Sequence, residues 1–133
     1  GLDDPYYAVD SRDYQVVQPK LSVFKKHGAQ ILSLEKIRDH VQYERAIMAV
    51  RFSEYAIGTQ FHPEADPISF IANLRDEKKR ERIKAMKGRR KFRNMLEDLL
   101  DDEKVYRTNE TFIPNFLRTA INHLLTHKKI QSN

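Results

Sequence analysis

The sequence predicts an α/β fold in which a short, largely antiparallel sheet comes first and helices follow. Three observations predict it. Residues 1–61 hold short β-prone runs separated by polar turns. Residues 66–125 hold apolar side chains at helical spacing. The charge balance also changes sign: 8 Lys/Arg against 10 Asp/Glu up to residue 73, then 16 against 9. Two parts are therefore expected, residues 1–74 and a basic, amphipathic helical extension over 75–133.

The elements follow in order. Tyr6–Val9 and Tyr14–Val17 read as short strands around the polar turn Asp10–Asp13. Leu21–His27 reads as a helical turn or two, with Gly28 as its C′ residue. Ala29–Leu34 and Ala46–Phe52 read as strands. Ser53–Tyr55 is a tight connection, so Ala56–Phe61 is the antiparallel partner of Ala46–Phe52. Asp66-Pro67 is a helix start, with Asp as N-cap and Pro at the first helical position. Ile68, Ile71, Ala72 and Arg75 then share a face. A long helical stretch continues to an interruption near Gly88. Phe92, Met95, Leu96, Leu99 and Leu100 recur at i, i+3, i+4, i+7 and i+8, an amphipathic stripe ended by Asp101–Glu103. The last helix starts near Pro114, with Phe116, Leu117, Ala120, Ile121, Leu124 and Leu125 on its apolar face.

Bulk composition narrows the function classes. The 133 residues suit one domain, 40% of them hydrophobic and 32% charged. No apolar run approaches the roughly 18–20 residues of a membrane span. The first ten residues carry three aspartates and no basic run, unlike a secretion signal. There is no cysteine, which excludes disulfides, thiolate metal sites and a cysteine nucleophile within these residues. A cytoplasmic location without membrane contact is expected, and no cofactor.

The candidate chemistry lies in Gly58-Thr59-Gln60-Phe61-His62-Pro63-Glu64. If the chain stays extended past Phe61, His62 and Glu64 point to the same side, and Pro63 stiffens the pair. Glu64 can then orient the imidazole while its other nitrogen serves a nucleophile. Alone, His-Pro-Glu is a common loop triplet.

The seven residues together resemble the G-x-Q-F-H-P-E signature of class I, triad-type glutamine amidotransferases. Ala8–Val16, with Asp10-Ser11-Arg12-Asp13 at its centre, resembles the strand–loop–strand beside the bound glutamine in that family. Ala46–Phe52 resembles the strand before the signature strand. The resemblance covers about residues 5–73 and is similar in kind to the amidotransferase part of GMP synthase. It implies a C-terminal portion of a Rossmann-like amidotransferase sheet. It also implies glutamine as substrate, His62 as triad base and Glu64 as its orienting carboxylate. Ser11 and Arg12 fall where relatives carry a Ser-His pair whose backbone touches the substrate; Arg12 replaces the histidine. Such domains supply ammonia to a synthetase domain or subunit in transferases and ligases.

The family's nucleophile sits in a G-x-C-x-G-x-Q elbow, and nothing here matches it. The expectation is therefore a fragment of a longer enzyme, inactive on its own. The alternative is a non-catalytic binding module whose basic run, residues 75–93, contacts nucleic acid or an acidic partner. That run holds 11 basic and 3 acidic residues. Aromatic residues are sparse in it, so the sequence favours a solvated helix face over nucleic acid. A homodimer would cover the sheet edge and the apolar faces. His27, His40, His123 and His127 do not form a metal spacing and read as exposed. Met86 and Met95 read as core.

Overall fold

The computed structural model describes residues 2, 4–39 and 42–131. Among them the fold is mixed α/β, with one three-stranded antiparallel sheet in the order β1–β2–β3 and five α-helices. The chain divides into two compact units. A sheet unit comprises Asp10–His62 and Asn115–Asn133; a helical unit comprises Gly1–Val9 and Pro63–Pro114. The change of charge at residue 74 falls inside the helical unit.

In the sheet unit, α1 (Leu21–His27) ends as the sequence predicts, on Gly28 at φ 69°. β1 (Gln30–Leu34), β2 (Ile47–Ser53) and β3 (Ala56–Thr59) form the expected meander. β2 is central, which is why Ala46, Ile47, Ala49 and Val50 are all buried although they alternate between its faces. β2 and β3 pair through Ala49↔Thr59, Val50↔Gly58 and Arg51↔Ile57. The Ser53 hydroxyl closes the turn by accepting from the Tyr55 N–H.

The expected strands Tyr6–Val9 and Tyr14–Val17 do not form; Val9 alone makes an isolated bridge. Val16 is held beside β2 by other means. Its carbonyl accepts from the Ile47 N–H at 2.8 Å, and its N–H donates to the Gln60 Oε1 at 3.0 Å. A side chain thus takes the place of a neighbouring strand.

The helical unit begins with α2 (Pro67–Asn73). Asp66 caps it, accepting from the N–H groups of Ile68 and Ser69, both at 3.0 Å. The inward face differs from the expected one. Pro67 and Leu74 are buried and Phe70 and Ile71 half-buried, whereas Ile68 is 69% exposed. The long helix expected next is broken at residues 74–76. Asp76 caps a new helix, α3 (Glu77–Lys87), by accepting from the N–H groups of Lys78 and Lys79. Gly88, at φ 85° and ψ 151°, separates α3 from α4 (Arg89–Leu100). Other residues adopt that conformation only with strain.

The α4 stripe is largely as expected. Phe92 and Leu99 are buried and Met95 and Leu96 half-buried, but Leu100 is exposed. α4 packs against α2, α3 and the kinked segment Asp102–Tyr106. Met86, expected in the core, is 66% exposed.

The last helix, α5 (Arg107–Gln131), starts seven residues before the predicted start and carries Pro114 inside it. Proline there forgoes the N–H bond to the Glu110 carbonyl. Of the apolar face expected on α5, Phe116 and Ala120 are half-buried, while Leu117, Ile121, Leu124 and Leu125 are exposed. Among the described residues no helix is long and apolar enough to cross a membrane.

Candidate functional site

The signature Gly58–Glu64 begins in β3 and ends in a turn. Its first half is structural. Gly58 sits opposite Val50, and a Cβ on it would meet the Phe52 ring at 3.0 Å, so the glycine lets that ring lie across the hairpin. The backbone N–H of Gln60 donates to the Met48 carbonyl at 2.9 Å, extending the ladder past Thr59. The Gln60 side-chain amide donates to the Ile47 carbonyl and accepts from the Val16 N–H. One amide thereby satisfies two backbone groups from segments far apart in sequence. Phe61 is 3% exposed and anchors the end of the strand.

The second half faces solvent. His62 and Glu64 are both exposed, with half-buried Pro63 between them. His62 is the last residue of its stretch of the sheet unit, and Glu64 belongs to the helical unit. Within the helical unit, the Asn109 side chain on α5 donates to the Pro63 carbonyl at 3.2 Å. Sequence reading missed Asn109, because a bond between residues 46 apart leaves no local signal. One position before it, the hydroxyl of Thr108, 2% exposed, donates to the Tyr7 carbonyl at 2.6 Å. Adjacent α5 residues therefore tie down the N-terminal segment and the Pro63 turn.

The predicted substrate residues lie on the loop before Val16. Ser11 is exposed. The Arg12 side chain is 17% exposed, with Asp10 at 3.3 Å and Glu35 at 3.4 Å. It also donates to the Met48 sulfur at 3.1 Å. Glu35 is shared with Arg38 at 2.8 Å, and its carbonyl accepts from Arg45 at 2.5 Å. The Arg12 guanidinium is thus engaged by the sheet unit's own carboxylates.

The remaining candidates resolve simply. His27 is exposed, as expected. His123 is half-buried instead, its ring 5.4 Å from that of Tyr55. His40 lies outside the described residues. Among the described residues no group of three metal-ligating side chains could hold a metal ion. An open groove of about 550 Å³ in the helical unit is lined by Ile68, Asp102, Glu103, Tyr106, Arg107 and Glu110. Within it Glu103 and Arg107 pair with each other.

Asp66 and Lys104 are among the ionisable groups shifted by their structural duties. The Asp66 carboxyl is held below its ordinary value by the Ser69 hydroxyl, then by the Ser69 and Ile68 N–H groups. Lys104 is held above its ordinary value by its bond to Asp98, with Asp101 adding to it. The same ammonium lies 5.0 Å from the centre of the Tyr7 ring.

No family model, no curated protein and no solved structure matches the chain.

Proposed function

We propose that these 133 residues supply the histidine–glutamate half of a class I glutamine amidotransferase. The observation that carries this reading is the seven-residue run Gly58–Glu64. The placement of Gly58–His62 in the sheet unit supports the reading. The run leaves the hairpin from an anchored Phe61, so His62 follows a rigid element. Under this reading the three strands are part of a larger Rossmann-like sheet, with residues 75–133 as a helical extension.

The thiol comes from outside these residues, because the chain has no cysteine. His62 takes the thiol proton, and the thiolate attacks the glutamine side-chain amide carbon. The C–N bond breaks, the imidazolium returns the proton to the leaving ammonia, and a glutamyl thioester remains. His62 then takes a proton from water as its oxygen attacks the thioester carbon; the C–S bond breaks, the imidazolium returns the proton to sulfur, and glutamate and the thiol are released. Glu64 holds the imidazole tautomer and stabilises the imidazolium. With Arg12 engaged by Asp10 and Glu35, substrate contact at Ser11-Arg12 falls to their backbone groups. The ammonia passes to a synthetase domain or subunit.

Ammonia release from glutamine by the 133-residue chain tests this directly. None is expected, because a triad without its nucleophile retains little catalysis. Turnover by the chain alone would overturn the reading. So would a coding sequence that lacks a G-x-C-x-G-x-Q elbow upstream of His62.

A further inference from the structure

Between Arg75 and Arg93 eleven cations face three carboxylates, and the structure shows how those carboxylates are used. Asp76 caps α3. Glu77 pairs with Arg80 at 3.7 Å, and Glu81 with Lys84 at 2.7 Å and Arg80 at 3.9 Å. Arg93 pairs with Glu97 at 3.9 Å. Arg80 and Lys84 occupy the half-buried side of α3, where the Lys84 ammonium lies 5.3 Å from the Phe92 ring centre. No ion pair neutralises Lys78, Arg82, Lys87, Arg90 or Lys91 among the described residues, and all five are exposed.

Their placement is orderly. Lys78 and Arg82 are one turn apart on the outward side of α3, about 6 Å along its axis. Lys87 ends α3, and Gly88 brings Arg89, Arg90 and Lys91 immediately after it. A face that served only for solvation would need no such excess, since alternating signs solvate equally well and repel less. Sequence alone favours the solvated face; the engagement of every local carboxylate reverses that preference.

We propose that the outward face of α3 and the adjoining basic turn of α4 dock the phosphate backbone of duplex DNA. The density of unneutralised cations matches a regularly spaced polyanion. Phe92, the aromatic residue of this segment, is buried, so there is no platform on which single-stranded bases could stack. An exposed helix about 10–12 Å wide fits the B-form major groove of about 12 Å, whereas the A-form groove of duplex RNA is too narrow. Contacts from these cations to phosphate carry no sequence information, so binding is expected to be independent of sequence.

Fluorescence anisotropy with a labelled mixed-sequence 20-bp DNA, titrated from 50 to 200 mM KCl, tests this. About four phosphate contacts predict a log–log salt slope near −3.6, hence roughly 100-fold weaker binding across that range. Lys78→Gln and Arg82→Gln should each reduce the slope by about one, while Arg82→Lys preserves it. Lys25→Gln with Lys26→Gln, on α1, should change nothing. Circular dichroism checks that each variant is folded. Absence of binding at 50 mM KCl, or equal losses in the α1 variant, would overturn the proposal. Equal affinity for duplex RNA or single-stranded DNA would also overturn it. Displacement by polyglutamate at equal charge concentration would point to an acidic protein instead.

Discussion

The β2–β3 hairpin and the α3–α4 pair treat their polar groups in opposite ways. In the hairpin two polar side chains leading up to the histidine are engaged: Gln60 bridges Val16 and Ile47, and Ser53 closes the turn. In α3–α4 the carboxylates are engaged but most cations are not. The hairpin therefore holds a short motif rigidly, as positioned chemistry requires. The helical pair presents charge without fixing it, which suits a polyanion and does not suit catalysis. The first turn of α4 sharpens the contrast. It holds Arg89, Arg90 and Lys91, no acidic residue and no side-chain cap. Cations at that end oppose the helix dipole.

The comparison can be broken by substitution, starting with the cores. Phe92→Ala should cost the helical unit about 3–5 kcal/mol, and Ile47→Ala the sheet unit about 2–5 kcal/mol, in urea melts. Both residues are nearly fully buried, at 6% and 3% exposed. A loss below about 1 kcal/mol in either would mean that its core is not the one described.

Gln60→Ala is the next largest. It removes the partner of a backbone N–H and of a backbone carbonyl, with an expected cost of about 1–3 kcal/mol. If stability is unchanged, the bridge between Val16 and Ile47 is not structural, and the hairpin loses its distinction from α3–α4.

Helix caps come third. Asp66→Ala should lower stability in urea melts, by less than Gln60→Ala does. Because the folded Asp66 carboxyl is held below its ordinary 3.8, its contribution is complete above that pH and disappears as pH falls through the lowered folded value. Asp66→Asn should therefore flatten the acid limb of the stability curve. Lys104 behaves oppositely. Its folded value lies above 10.5, so its contribution is complete below that pH and is lost as pH rises through the raised value. Lys104→Gln should flatten the alkaline limb.

The smallest effect is the most discriminating. Arg82→Gln and Arg90→Gln should change stability by no more than about 0.5 kcal/mol, because neither has a carboxylate partner among the described residues. A larger loss would show that these cations are structural after all.

Local chemistry made much of the fold legible. The hairpin follows from two apolar β-prone runs and a short turn, α1 from Gly28, α2 from Asp66-Pro67, and α4 from its apolar spacing. Features that depend on distant partners were not legible. Val16 looked like part of a strand because β-branched residues suit strands, yet a glutamine side chain 44 residues away holds it. The break before α3 had a local sign, Asp76 as an N-cap, which the surrounding run of helix-forming residues masked. Pro114 looked like a start because proline favours the first turn, and here it sits in the eighth position of α5. For the candidate site, the motif singles out His62 and Glu64 as the proposed pair. The structural duty of Gln60 and the support of Pro63 by Asn109 were not.

Under the proposed function His62 is a general base at the end of the β2–β3 hairpin. The most direct measurement is ammonia release from glutamine by the protein that carries both this segment and a cysteine elbow, compared with its His62→Ala variant. Turnover by the first and a loss of at least about a thousandfold in the second are expected, with the fold intact by circular dichroism. A His62→Ala enzyme that releases ammonia at the unsubstituted rate would contradict it.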